Sequence, residues 1–184
     1  SKFPMTYYGQ LAFNKINPGG NFELNDESIY DKEYQKEFKK NKLINHVVLL
    51  HELNASQYAK DILKHLAQLN IEKGSEVLAA ELSTSVERYD FAIQISKKAS
   101  YEKRFYNKFN YPVIATPKIV NDKQMPKQEI ILAIIRQESE FDLKANSWAG
   151  ARGMMQLMKY TAKIVAKQAK LPYSLSKLTT DPEY

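Results

Sequence analysis

The chain has 184 residues, 43% hydrophobic and 26% charged, the composition of globular proteins. Its 6 Gly and 7 Pro, with 12 Tyr and 8 Phe spread along it, exclude disordered, fibrous and low-complexity classes. The absence of Cys excludes a disulfide framework, a thiolate metal site and a cysteine nucleophile, and leaves the compartment open. The formal charge of +6 suits either an acidic partner or a plain solubilising surface, and residues 118–184 hold much of the excess, with 11 basic against 7 acidic side chains.

The longest apolar run, Ile130 to Ile135, is far shorter than the roughly 20 residues a membrane span needs. No transmembrane segment is expected. The start, Ser1-Lys2-Phe3-Pro4-Met5, is not followed by an apolar run of signal-peptide length, so no signal peptide is expected either.

From Ile29 to Ser100 apolar positions recur at helical spacing between polar breaks, which predicts consecutive short helices. Asp31 to Phe38 presents Tyr34 and Phe38; Leu43 to Leu53 presents Ile44, Val47, Val48 and Leu50. After a break at Asn54-Ala55-Ser56 the next stripe reads Tyr58, Ile62, Leu66 and Leu69. Ile71 to Leu82 supplies Val77, Leu78 and Leu82, and one of Ser83, Thr84 and Ser85 is expected to cap a helix from Val86 to Ala99 bearing Phe91, Ile95 and Ala99. Each stripe needs a neighbour, so stacked helix pairs are the expected packing, without a repeating consensus.

Tyr101 to Met125 breaks this pattern with aromatic residues and prolines, and reads as an interdomain connector. A further helix is expected to begin at Pro126, suited to the first helical position, and to run to about Ser139. On it Ile131, Ile134 and Ile135 mark an apolar stripe whose next position is Glu138. A salt bridge to Arg136 or Arg152, or a helix that simply frays at its end, is the structural reading of that carboxylate. The functional reading is a general acid, held protonated near neutral pH by partial burial.

The residues that follow give the order E-S-x-F-x3-A-x-S-x2-G-A-x-G-x-M-Q, from Glu138-Ser139 through Phe141, Ala145, Ser147, Gly150-Ala151 and Gly153 to Met155-Gln156. This resembles the catalytic motif of the soluble lytic murein transglycosylases, and the likeness continues loosely through Leu157, Met158, Thr161-Ala162 and Asp181-Pro182-Glu183. The resemblance implies an all-α chain: an α-superhelical or linker region over residues 1–117, then the N-terminal part of a lysozyme-like catalytic domain over 118–184. The downstream helices expected of that domain are absent from the sequence.

By the same resemblance Glu138 is the single acid/base, Ser147 orients its carboxyl, and Gln156 and Met158 line the glycan cleft. Ser139, Gly150 and Gly153 shape the motif, the glycines at a passage where side chains would block backbone approach. Trp148 supports either sugar stacking or loop packing. The implied substrate is the peptidoglycan glycan strand, the implied location the periplasm or cell envelope, and the implied product a 1,6-anhydromuramyl end. A water-using muramidase and a noncatalytic helical scaffold remain alternatives. Nucleic acid is not expected as a partner, since only charge speaks for it. No cofactor or metal is expected: His46, His51 and His65 lack ligand spacing, and no Gly-rich phosphate loop occurs.

Overall fold

The computed structural model describes residues 6–24, 26–115 and 126–184, and among them the regular structure is helical. The helices are α1 (Tyr7–Ile16), α2 (Lys32–Phe38), α3 (Lys42–Glu52), α4 (Lys60–Gln68), α5 (Ser75–Ser85), α6 (Tyr89–Tyr101), α7 (Asn107–Asn110), α8 (Gln128–Ser139) and α9 (Lys159–Gln168), with short 3-10 turns between several of them. No helix is long and apolar enough to cross a membrane. The all-α expectation is met.

Local chemistry starts the early helices. Thr6, Asp31 and Asn41 stand in extended backbone and accept hydrogen bonds from Gly9, Tyr34 and Leu43 N–H, capping α1, α2 and α3. At Gly74 the backbone turns left-handed (φ 90°) against Tyr30, and an added Cβ there would run into Tyr30 and the Ile29 carbonyl. That close approach seats the start of α5 against the strand of chain before α2.

α5 is the centre of the N-terminal region. Ser75 through Ala80 and Ser83 are all buried, so neighbours surround it on most sides, chiefly α4 and α6. Val77, Leu78, Ala79 and Ala80 meet Tyr34, Phe38, Leu66, Ala92, Ile95, Ala99, Tyr106 and Phe109 in one core. A second core joins Val47, Ala59, Leu63, Val86 and Phe91. Buried polar groups here are paired: Ser75 donates to Ala67 O at 2.6 Å, and Glu76 accepts from Arg104 Nε and Nη2 at 2.9 and 3.0 Å and from the Tyr106 hydroxyl at 3.0 Å. Burial and the Glu76 charge push the Tyr106 hydroxyl up to about 12, and the same carboxylate raises Arg104.

Several expectations need correction. The stripe on α4 is Leu63, Leu66 and Ala67, while Tyr58 and Leu69 are exposed. The chain enters α4 through a 3-10 turn, Ser56–Ala59, whose three residues per turn displace the phase read for a continuous α-helix. Ser83, Thr84 and Ser85 do not cap α6; they end α5, and their hydroxyls donate back to Ala79, Ala80 and Leu82 carbonyls. Tyr106 and Phe109, placed in the connector by sequence, belong to the first core. The expected boundary at residue 117 lies outside the described residues.

Candidate active site

α8 begins at Gln128 with Lys127 as its N-cap, so Pro126 stands one residue before the cap rather than at the first helical position. Its buried face is Leu132 and Ile135, which with Phe141 close on Ile93 of α6, flanked by Tyr89, Ile114, Ile131 and Met154. The Tyr89 and Phe141 rings lie 6.3 Å apart. Arg136 reaches across to Asn110, donating to its backbone carbonyl at 2.9 Å and its side-chain oxygen at 2.7 Å. Apolar packing and this clasp fix α8 on the N-terminal helices.

The burial expected of Glu138 is not met. With Leu132 and Ile135 turned inward, the opposite face carries Ile130 (51% exposed) and Ile134 (42% exposed), four residues apart, and exposed Glu138 is the next rung. α8 has apolar residues on two faces, and the stripe that leads to the carboxylate is the outer one. Neither Arg136 nor Arg152 pairs with Glu138. Arg136 and Lys97 instead meet Glu140, at 3.6 and 3.1 Å.

That ion cluster closes the helix. Glu140 (φ 53°) and Phe141 (φ 67°) are successive left-handed residues, a conformation unfavourable for side chains other than glycine. Lys97 and Arg136 anchor the first, and burial against Ile93 and Tyr89 anchors the second. Asp142 then accepts from Lys144 N–H at 3.0 Å. Of the motif's carboxylates, Glu138 alone has no hydrogen-bond or ion-pair partner among the described residues.

The loop from Ala145 to Leu157 is tied by its own backbone. Arg152 forms isolated bridges to Asn146 and to Leu157, and Gly153 N–H donates to Ala145 O at 2.9 Å. Ser147 lies within it, half-buried, and its hydroxyl oxygen accepts from Ala151 N–H at 2.9 Å, leaving its own hydrogen to donate elsewhere. No hydrogen bond joins Ser147 to Glu138. Gly153 (φ 74°) is the tight passage expected of it, since a Cβ would collide with the Leu178 carbonyl oxygen. Gly150 (φ 89°) has open space around that position, so its requirement is the backbone angle alone.

Gln156 takes a left-handed conformation (φ 48°) and its amide nitrogen donates to Gly153 O at 2.9 Å. Met158 is exposed just before α9, Met154 packs into the α6–α8 core, and Ser139 donates to Ile135 O at 3.3 Å within the helix. Trp148 is 100% exposed, which removes the loop-packing reading. Beyond the loop, Lys177 at 3.2 Å and the Glu183 N–H hold the Asp181 carboxyl below its usual range.

Cavities of about 220 and 100 Å³ border the motif, between Asp142 and the α5–α6 turn and between Gly153 and Leu178, and neither includes Glu138. Sequence reasoning missed Lys97, Asn110 and Tyr89 as supports of the site; they lie 43, 26 and 52 residues from the partners they hold, and no local pattern marks them. No group of His, Asp and Glu able to hold a metal occurs among the described residues.

In its helical fold and its glutamate-serine motif the chain is similar to the lytic transglycosylases. Residues 117–183 match the family of the Transglycosylase SLT domain. A 42-residue stretch is 52% identical to a Haemophilus influenzae protein provisionally named a soluble lytic murein transglycosylase, covering 23% of this chain and 7% of that one. In fold the chain is similar to lytic transglycosylase Slt from Pseudomonas aeruginosa, solved as an inactive glutamate-to-glutamine mutant, with TM-score 0.67 and 21% identity over 95% of this chain and 28% of that one. It is similar also to the 70 kDa soluble lytic transglycosylase of Escherichia coli, with TM-score 0.65 and 22% identity over 96% of this chain and 28% of that one. The chain thus spans less than a third of the length of these solved relatives.

Proposed function

We propose that this chain carries the acid/base of a peptidoglycan lytic transglycosylase acting in cell wall turnover at the cell envelope. The observation that carries the reading is the state of Glu138: the motif's other carboxylates are engaged by Lys97, Arg136 or backbone N–H, and this one is left without a partner among the described residues at the end of α8. In the proposed reaction Glu138 gives its proton to the glycosidic oxygen between N-acetylmuramic acid and N-acetylglucosamine as the bond to C1 breaks, with the muramyl N-acetyl group assisting at C1. The resulting carboxylate then takes the proton of the muramyl C6 hydroxyl, and O6 closes on C1 as a 1,6-anhydro ring. One group serving in both directions is ordinary acid/base reversal, so no second carboxylate is required. Ser147, with a hydroxyl hydrogen uncommitted, is the proposed orienting group, and Gln156 and Met158 the proposed glycan contacts.

One observation favours a second reading. Glu138 is exposed, so water has access to the same place, and a muramidase would deliver that water to C1 instead of O6. Mass spectrometry of the soluble products from purified peptidoglycan decides between them. Anhydromuramyl ends that fall about 10³-fold in Glu138→Gln are the expected outcome; reducing ends would establish the hydrolase, and no difference between the two proteins would remove Glu138 from the chemistry.

A further inference from the structure

In the N-terminal region, α4 and α6 part to leave a cleft of about 240 Å³. Its floor is apolar, made by Leu63, Ala67, Phe91 and Ile95, and its walls are polar. On α4, Lys60, Lys64 and Gln68 stand at successive intervals of four residues, so all three share one face. On α6, Gln94 and Lys98 stand four apart and face them across the opening.

The electrostatics are one-sided. Three lysines line the cleft, and none makes an ion pair among the described residues. The single carboxylate in the lining is Glu76, at the base, and Arg104 holds both its oxygens at 2.9 and 3.0 Å while the Tyr106 hydroxyl donates to one of them. Its charge is therefore already matched, and it does not serve the lysines above it. Lys60 and Lys64 repel one another at this spacing, an unfavourable arrangement that an anion between the helices would relieve. The Gln68 and Gln94 amides have no partner among the described residues and can both donate and accept.

The size of the row sets the ligand. The eight steps of helix from Lys60 to Gln68 rise about 12 Å, which an extended peptide covers in about four residues. A ligand of that length with several carboxylates would place anionic groups beside the lysines, its backbone beside the glutamine amides and its apolar side chains on the floor. We propose that the α4–α6 cleft binds a short, carboxylate-bearing peptide of the kind that branches from the peptidoglycan strand. The peptide's source rests on the function proposed above; the site itself rests on the cleft.

The experiment titrates the full chain with a synthetic tetrapeptide bearing three free carboxylates and with the same peptide fully amidated, followed by calorimetry and by NMR shifts. The acidic peptide is expected to bind, the amidated one at least about tenfold more weakly, and binding should weaken as salt is raised. Lys64→Gln with Lys98→Gln should reduce affinity a further tenfold or so with an unchanged thermal midpoint. Equal binding of both peptides, binding of neither, or binding indifferent to the two substitutions would overturn the proposal. Parallel peptidoglycan digests with the parent chain separate the two readings: peptide binding by a parent chain that cleaves no peptidoglycan defeats only the catalytic one, and cleavage by a parent chain that binds no peptide defeats only this one.

Discussion

The helices around α5 and the segment from α8 onward solve the folding problem in different ways. The first region surrounds a largely buried helix, pairs its buried acid with Arg104 and Tyr106, and draws on two apolar cores. The second buries little of its own. Its core is Leu132, Ile135 and Phe141, completed by Ile93 from α6, while Ile130, Ile134, Met158, Ile164 and Val165 remain exposed. Its backbone also concentrates left-handed residues, at Glu140, Phe141, Gly150, Gly153 and Gln156. The comparison teaches that the motif segment is shaped for geometry and takes its stability from a neighbour. Strained backbone persists where surrounding contacts over-determine it.

The largest way to break this contrast is Phe141→Ala, which removes the ring between α8 and α6 and is expected to cost about 3–5 kcal/mol. Hydrogen exchange should show α8 and the motif loop opening before α4–α6; uniform loss of protection would mean that the regions unfold as one unit. Gly153→Ala should follow at about 1–3 kcal/mol, because both the positive φ and the Leu178 carbonyl oppose a side chain. Gly150→Ala, with open space at the same backbone conformation, should cost less, and thermal melts of the two variants measure the steric part by difference.

The smallest effect sharpens the other side. Tyr106 is held protonated in the folded state up to about 12 against an ordinary 10.0, so its contribution is complete below pH 10 and is lost as pH rises from 10 through 12. A decline of order 1 kcal/mol over that window, absent in Tyr106→Phe, is expected from urea titrations.

Much of this was legible in the residues. The all-α class, the burial of Tyr34 and Phe38, and the inward face of α6 at Phe91, Ile95 and Ala99 follow from helical periodicity, and the motif order located the site. Periodicity failed where helix type changed, as at the 3-10 entry to α4, and where a helix carries apolar residues on two faces, as at Glu138. The hydroxyls of Ser83 to Ser85 have the composition of a cap and the geometry of a helix interior. The pairings of Glu76 with Arg104 and of Arg136 with Asn110 join residues 28 and 26 apart, and nothing in a short window announces them.

α8 binds α6 through one face and displays Glu138 on the other, so the direction of the carboxylate is set by residues such as Ile93 that lie 45 positions upstream and outside the motif. A chimera that grafts residues 126–184 onto a foreign helical support would carry every motif letter and still lose its aim. The smallest exchangeable part is therefore the motif together with α6, and neutral drift in α6 is constrained by chemistry it never touches.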